Sequence, residues 1–314
     1  MWTPLNDDSF GLMKSFSDII AKESASLPNL HTSETILVTS DYSGQHKSAR
    51  YDAYSFLLAT PQRWGCWEKR RLELRQKYQA DKRRMSFKKL GDAVKRRMLP
   101  SFLAAADMLP GICLCILVDK KIGSLFCENR NIDLTNPDLT LLADLTPDNI
   151  EKLLRIVHFV SFVVAGLSRQ GQNLMWFTDQ DEIAANDEGV IRLTRIWGSV
   201  LSHYLQHEVG HIRCGTTKCD NGTLQIEDLA AIPDLAAGAL TELTSHYQNE
   251  GIFPTSKLAV TVPQSISGKA REIIGWLSDD AKDLRRVIFC FQASENSTKT
   301  TIQRLKLHNG SLLV

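Results

Sequence analysis

Three apolar runs, each followed by an aspartate, most restrict what this 314-residue chain can fold into. The runs are residues 36–40 before Asp41, 112–118 before Asp119 and 173–178 before Asp179. Their length and their β-branched and aromatic content predict strands that are buried on both faces. Helical patterns lie between these strands, and a further strand at 51–59 follows the first after a polar turn. The order predicts an α/β protein in which helices flank a mixed sheet.

Helices and a closing hairpin account for most of the remaining sequence. Helical patterns cover residues 10–25, most of 64–108, 147–168, 187–206 and 235–247. Pro233 and Asp234 are predicted to open the last of these helices, because proline is favoured in a first helical turn. A short strand is predicted near 211–217, and residues 285–291 and 300–307 are predicted to form the hairpin.

The positive charge of the chain is concentrated in one helical stretch, residues 63–108, which we call the basic arm. Within it, residues 63–97 carry 14 Lys and Arg against 4 Asp and Glu, a net charge of +10. The rest of the chain carries −9, so the total of +1 is a cancellation and does not exclude a polyanionic partner.

Bases interleaved with aromatic residues, as in the basic arm, can follow a phosphate backbone and stack on nucleobases. The predicted nucleic-acid contacts are Arg70, Arg71, Arg75, Lys82, Arg83, Arg84, Lys88 and Lys89. Two alternatives remain open for this charge: a solvated helix face, and contact with an acidic surface of a partner protein.

Carboxylates at the ends of neighbouring strands predict a metal site, because strand ends meet at the edge where open α/β sheets bind ligands. Asp41, Asp119 and Asp179 end apolar strands, with Asp181 just beyond, and Asp234 is a fourth candidate. Gathered carboxylates repel one another, and hard cations such as Mg²⁺ or Mn²⁺ relieve that repulsion. Any one of these aspartates could simply cap a turn, so the prediction rests on their joint placement.

The motifs resemble those of an uncharacterised domain-of-unknown-function family in the ribonuclease H-like superfamily. That family has an early strand ending in Asp-Glu-Ser-Gly and a helix that begins near Ala-Asp-Leu-x-Ala-Gly. Here the first motif is Asp41-Tyr42-Ser43-Gly44, with Tyr42 in place of Glu. The second is Pro233-Asp234-Leu235-Ala236-Ala237-Gly238, with Pro233 in place of Ala. The pattern spans residues 34 to about 248.

The resemblance implies a ribonuclease H-like fold and a metal-dependent nuclease that hydrolyses DNA or RNA, and some relatives occur in bacterial defence systems. Its catalytic carboxylates would be Asp41, Asp179 and Asp234. Its metal ligands would come from Asp41, Asp119, Asp179, Asp181 and Asp234, with either Asp119 or Asp179 and Asp181 completing the site between Asp41 and Asp234. The predicted organisation is an N-terminal helical extension (1–33), a ribonuclease H-like domain (34–250) with the basic arm inserted, and a C-terminal helix and hairpin extension (251–314).

A competing motif is His207-Glu208-Val209-Gly210-His211, which matches the H-E-x-x-H pattern of zinc metallopeptidases. On a helix, His207 and His211 would share one face and hold Zn²⁺ while Glu208 activates its water. Glu227, Asp228 or Glu242 would supply the third ligand. A strand-like run after Gly210 counts against one continuous helix here. The remaining alternative is a non-catalytic nucleic-acid-binding subunit of a larger complex.

Cysteine usage and hydropathy predict a cytoplasmic protein with no membrane segment. The seven cysteines are odd in number and form no Cys-x-x-Cys pair, which favours reduced thiols. The N-terminus lacks the basic and apolar regions of a secretory signal. The most apolar stretch, residues 153–167, contains Arg155 and His158 and is too short to span a bilayer.

Overall fold

The structure is a computed structural model. It describes residues 2–23, 27–46, 48–78, 84–125, 140–142, 145–179, 184, 186–220, 222–250, 259–279, 282–294 and 299–308. The predictions made for Lys82, Arg83 and Asp181 lie outside these ranges.

The described residues form seven α-helices and nine strands. The helices are α1 (Leu12–Lys22), α2 (Gly65–Tyr78), α3 (Ala93–Ala106), α4 (Pro147–Leu167), α5 (Asp187–Tyr204), α6 (Gln225–Asn249) and α7 (Gly268–Ser278). The strands are β1 (Thr35–Ser43), β2 (Tyr51–Ala59), β3 (Gly111–Asp119), β4 (Asn173–Thr178), β5 (Ile212–Thr216), β6 (Ala259–Thr261), β7 (Leu284–Ala293), β8 (Thr300–Arg304) and β9 (Lys306–His308).

Seven strands form one mixed sheet in the order β5-β4-β1-β2-β3-β7-β8, and β6 and β9 form a separate parallel pair. Strands β1, β3, β4, β5 and β7 run in one direction, while β2 and β8 run in the other. The predicted α/β architecture with a mixed sheet flanked by helices is confirmed. The predicted hairpin is present as β7 and β8, and β7 joins the sheet beside β3.

The sheet separates two apolar cores. One core lies between the sheet and α2, α3, α6 and α7, and the other between the sheet and α1, α4 and α5. Alternation along β1 assigns each side chain to a face: Leu37 belongs to the α6 core, whereas Ile36 and Val38 belong to the opposite core. Residues 39 and 41 therefore lie on the α6 face.

Helix α6 is one continuous helix, so the prediction that Pro233 and Asp234 open it was wrong. Both residues lie near its middle. Proline has no N–H and leaves the carbonyl four residues earlier without its helical partner. That carbonyl belongs to Leu229, and the Thr39 hydroxyl of β1 donates to it at 3.1 Å. A contact with the sheet thus replaces the missing hydrogen bond and lets the helix run through the proline.

Buried ion pairs join the basic arm to α6. Arg71, which is 1% exposed, and Arg75 both donate to Asp228 on α6, at 3.1 Å and 2.5 Å. Arg71 also pairs with Glu68 at 2.6 Å. The prediction that Arg71 and Arg75 contact nucleic acid is therefore contradicted, because their guanidinium groups fix α2 to the body of the protein.

Two sequence predictions concern membranes and thiols. Within the described ranges, no helix is both long and apolar enough to cross a membrane. The cysteines of those ranges, Cys66, Cys113, Cys115, Cys214, Cys219 and Cys290, are all free.

We predict that Asp228→Ala destabilises the protein by about 3–5 kcal/mol, because it leaves two buried guanidinium groups without a counter-charge. The measurement is the free energy of unfolding from urea denaturation. Glu73→Ala is the control, since it removes the exposed Arg70–Glu73 pair of the same helix and should cost no more than about 1 kcal/mol. Equal effects of the two substitutions would contradict the structural role of Asp228.

Candidate functional site

A cleft of about 760 Å³ lies where β1 and β4 end, and Asp41, Asp179 and Asp234 all line it. Strands β1 and β4 are parallel neighbours, with Ser40 opposite Thr178. The next residues are Asp41, which lies inside β1 near its end, and Asp179, which directly follows β4, so the two lie side by side on the face that α6 covers. Helix α6 brings Asp234 to the same cleft, so three of the predicted site residues come together.

The carboxylate of Asp234 is held by the short 3₁₀ turn at Phe87–Gly91. The backbone N–H of Phe87 donates to Asp234 Oδ2 at 2.5 Å. Burial raises the pKa of the Asp234 carboxyl above its ordinary value, and the Asp179 carboxylate adds to that rise, while the Phe87 N–H and Arg84 oppose it. The Asp234 carboxyl group therefore lies close enough to interact with Asp179 and with the positive charges of Arg84 and Lys88.

Gly238 explains part of the helix motif that follows Asp234. A Cβ at position 238 would lie 2.3 Å from Cγ of the Phe87 ring, so only glycine allows the ring to rest against α6. Lys269 holds the same segment from the other side, because its Nζ donates to the Phe87 carbonyl at 3.1 Å. The close approach at Gly238 therefore sets how the 3₁₀ turn meets Asp234.

Arg84 supplies the counter-charge that the sequence analysis did not foresee. Its guanidinium donates to Asp179 and lies 3.5 Å from Glu227 of α6. Burial lowers the pKa of Arg84, but the hydrogen bond to Asp179 and the charges of Asp179, Glu227 and Asp234 outweigh it and raise that pKa. The sequence does indicate the acidic side chains near Arg84: Glu227 and Asp234 are seven residues apart and therefore lie on one face of a helix.

Asp119 is not part of the cleft. On the intervening strand β2, Asp41 faces Ser55 and Asp119 faces Tyr51, so Asp119 lies ~13 Å further along the sheet at about 3.3 Å per residue. It is fully buried, accepts from Arg50 Nη2 at 2.8 Å, and caps the turn after β3 through the N–H of Lys121. Asp119 therefore caps a turn at a strand end, which is the alternative to a metal ligand that the sequence left open.

Tyr42, which stands where the resembled family has Glu, packs away from Asp41. Its ring lies 6.0 Å from the ring of Tyr54 in the opposite core, and its hydroxyl is 2.6 Å from Ser40 Oγ. Gly44 has a φ of +87°, and a Cβ there would lie 2.2 Å from the Tyr51 carbonyl oxygen. The motif therefore combines one carboxylate in the cleft with a glycine turn beside it.

The carboxylate oxygens of Asp41, Asp179 and Asp234 are of the kind that a hard divalent cation prefers. Across the described ranges, however, no three His, Cys, Asp or Glu side chains are grouped closely enough to hold a metal ion. The positive charge beside Asp179 comes from the guanidinium of Arg84, which forms an ion pair with the Asp179 carboxylate.

The exposed bases nearest to this site are Lys88 and Lys89, which lie on the 3₁₀ turn and line the cleft. Arg70 is also exposed, but it lies on α2 and pairs with Glu73 at 2.9 Å. Of the six predicted nucleic-acid contacts that the structure describes, Arg84, Lys88 and Lys89 are thus the ones brought to the carboxylates.

The predicted zinc site is wrong in its central premise, because His207, Glu208 and His211 do not lie on a helix. Helix α5 ends at Tyr204, and His211 directly precedes β5. The Nε2 atom of His207 is 3.0 Å from Ser168 Oγ. The backbone N–H of His211 donates to the Asn173 side chain at 2.9 Å. A loop thus replaces the shared helical face that the motif requires.

Comparison with known proteins returned no match, either to a family model or to a curated protein.

We predict that Gly238→Ala destabilises the protein by about 1–3 kcal/mol, because the added methyl group must push the Phe87 ring off α6. Urea denaturation measures the effect. The matched control is Gly198→Ala in α5, where a Cβ would meet nothing within 4 Å. It should stabilise the protein by about 0.5–1 kcal/mol through helix propensity alone. Stabilisation by both substitutions would refute the close contact.

Proposed function

We propose that this protein is a ribonuclease H-like, divalent-metal-dependent nuclease that hydrolyses phosphodiester bonds of DNA or RNA. The observation that carries the proposal is the convergence of Asp41, Asp179 and Asp234 on one cleft. They come from the first strand, the end of a later strand beside it, and helix α6, which packs on the sheet. Those are the three residues that the resemblance assigns as catalytic carboxylates.

The charges around the cleft suit an anionic polymer. Asp41, Asp179 and Asp234 would hold Mg²⁺ or Mn²⁺, which when bound neutralises phosphate charge and activates water. Lys88 and Lys89 are exposed at the cleft and would attract and position the phosphate backbone. The backbone N–H of Phe87 fixes Asp234, so the turn that carries both lysines also orients a carboxylate.

We expect Asp41→Asn and Asp234→Asn each to lower Mn²⁺-dependent cleavage at least about a hundredfold, the size of loss seen when one preorganised hydrogen-bond donor is removed from an active site. Asparagine keeps an acceptor for the Phe87 N–H, so Asp234→Asn should stay folded. Cleavage is measured on single- and double-stranded DNA and RNA oligonucleotides, with circular dichroism to confirm folding.

The control for these variants is Asp18→Asn on α1, which removes a partly exposed carboxylate on the opposite side of the sheet. It should cleave as the wild type does. Folded Asp41→Asn and Asp234→Asn variants that retain wild-type cleavage would rule out the proposed nuclease site.

A second candidate function is a non-catalytic nucleic-acid-binding subunit. The observation in its favour is the Arg84 guanidinium, which already balances the charge of Asp179 and Glu227. In that case the cleft would bind a phosphate backbone through Lys88 and Lys89 without turnover. Binding with no cleavage in Mg²⁺, Mn²⁺ or any other divalent ion would distinguish this function from the first.

Both candidate functions predict that Lys88→Ala/Lys89→Ala weakens binding to a fluorescent oligonucleotide. Two fewer phosphate contacts should reduce the slope of log K against log salt by about 1.4–1.8. Fluorescence anisotropy at several salt concentrations gives the slope. Lys22→Ala/Arg195→Ala is the charge-matched control, since both residues are exposed on helices α1 and α5 across the sheet. An identical change in both double variants would mean that the cleft lysines have no specific role.

A further inference from the structure

The positive charge of the 3₁₀ turn at Phe87–Gly91 continues onto helix α7. Nζ of Lys269, near the start of that helix, donates to the Phe87 carbonyl at 3.1 Å and lies 4.1 Å from the centre of the Phe87 ring. Its ammonium group is thus fixed beside the residue that directly precedes Lys88. Lys88 and Lys89 on the turn and Lys269 on α7 therefore form one run of positive charge at the rim of the cleft.

Two guanidinium groups flank the start of α7. A Cβ placed on Gly268, which is exposed, would lie 3.2 Å from Nη2 of Arg96 and 3.9 Å from Nη2 of Arg271. Both groups therefore lie within 4 Å of one point, one reaching it from α3 and the other from α7. Because their like charges repel each other, an anion bound between them would be stabilising.

The bases around the start of α7 differ in how far the protein neutralises them. Arg96 pairs with Glu272 of α7 at 3.3 Å. Arg271 donates to the uncharged side-chain amide of Gln264, and Lys269 donates to a main-chain carbonyl. Within the described ranges, neither Lys269 nor Arg271 has a carboxylate at ion-pair distance. Both therefore retain a full positive charge that no acidic side chain of the described residues offsets.

The acidic side chains next to these bases already bind groups of the protein. Glu242 of α6 accepts from the N–H of Ser267 at 2.6 Å and from its hydroxyl at 3.0 Å. Asp92 accepts from the N–H groups of Val94 and Lys95 and so caps α3. The first turns of α3 and α7 are thus capped from within, and the positive charge left for a partner belongs to the side chains.

We propose that Lys269 and Arg271, together with Lys88 and Lys89, bind the phosphate backbone of a nucleic acid that leaves the cleft over the 3₁₀ turn and crosses the start of α7. Phosphate oxygens suit these bases because Lys and Arg donate to them whatever the nucleobase. The inference rests on the proposed function and assigns the path of the nucleic acid beyond the cleft. It adds contacts from the C-terminal extension, whereas the contacts predicted from the sequence all lie in the basic arm.

The test measures how binding to a fluorescent oligonucleotide of about 12 nucleotides, within the site sizes of single-strand-binding folds, depends on salt. EDTA is present so that no cleavage occurs. Lys269→Gln/Arg271→Gln should lower the slope of log K against log salt by about 1.4–1.8, because two phosphate contacts are lost. Combination with Lys88→Ala/Lys89→Ala should lower it by about 2.8–3.6, because one strand contacts all four bases.

Arg271 offers the sharpest single substitution, because its described hydrogen bond goes to Gln264 and not to the turn beside the cleft. Arg271→Gln should lower the slope by about 0.7–0.9, and Arg271→Lys should retain the wild-type slope because it keeps the charge. The charge-matched control is Lys22→Gln/Lys282→Gln. Lys22 ends α1 across the sheet, Lys282 follows the far end of α7, and both are exposed. This control should keep the wild-type slope.

The result that supports the inference is a lower slope for both α7 variants with an unchanged slope for the control. An unchanged slope for Arg271→Gln and Lys269→Gln/Arg271→Gln overturns it, as does an equal change in the control or a wild type that binds no oligonucleotide. Weaker binding of the α7 variants to polyglutamate, with oligonucleotide binding unchanged, would assign these bases to an acidic protein and also overturn it.

Failure of this inference is distinguishable from failure of the nuclease proposal. A wild type that cleaves no nucleic acid, but whose salt slope falls as expected in the α7 variants, keeps the contact at α7 and rejects the nuclease. Cleavage that Asp41→Asn abolishes, together with salt slopes that the α7 variants leave unchanged, does the reverse.

Discussion

The packing of α6 across the first strands of the sheet is the constraint on which the cleft depends. The helix crosses β1 and β2 through buried residues, and the Thr39 hydroxyl anchors it by completing the hydrogen bonding that Pro233 interrupts. Five residues beyond the anchored carbonyl of Leu229, the same helix presents Asp234 to the end of β1. Its first turns also hold the basic arm through Asp228. One helix thus aligns a carboxylate, a strand end and the segment that carries Arg84.

Much of the sheet could be predicted from the sequence because its strands are apolar and bounded by clear turns. The expected limits of β2 and β4 match the structure, and the strands ending near Asp41 and Asp119 were placed within a few residues. The start of α6 could not be predicted by local rules. Proline normally marks a helix start or a break, and here only the contact of Leu229 with Thr39, distant in sequence, makes the interior position acceptable.

Only part of the candidate site could be predicted from short stretches of sequence. Their places at strand ends predicted that Asp41 and Asp179 would meet, since strand ends of one sheet lie at the same edge. The same reasoning included Asp119, because sequence does not show that β2 offsets it along the sheet or that Arg50 neutralises it. A basic composition also did not distinguish Arg71, buried against Asp228, from Lys88 at the cleft. In each case the deciding partner lies far away in the chain.

Because the two cores lie on opposite faces of the sheet, a probe can be attached on the face away from the cleft. The cleft draws on the face covered by α6, whereas α5 packs on the other face and leaves Ile191 55% exposed to solvent. A fluorophore or surface tether attached at position 191 would therefore report from behind the sheet. Immobilisation through α5 would leave the cleft facing the solution, and a signal from that position would track global unfolding more closely than occupancy of the carboxylates.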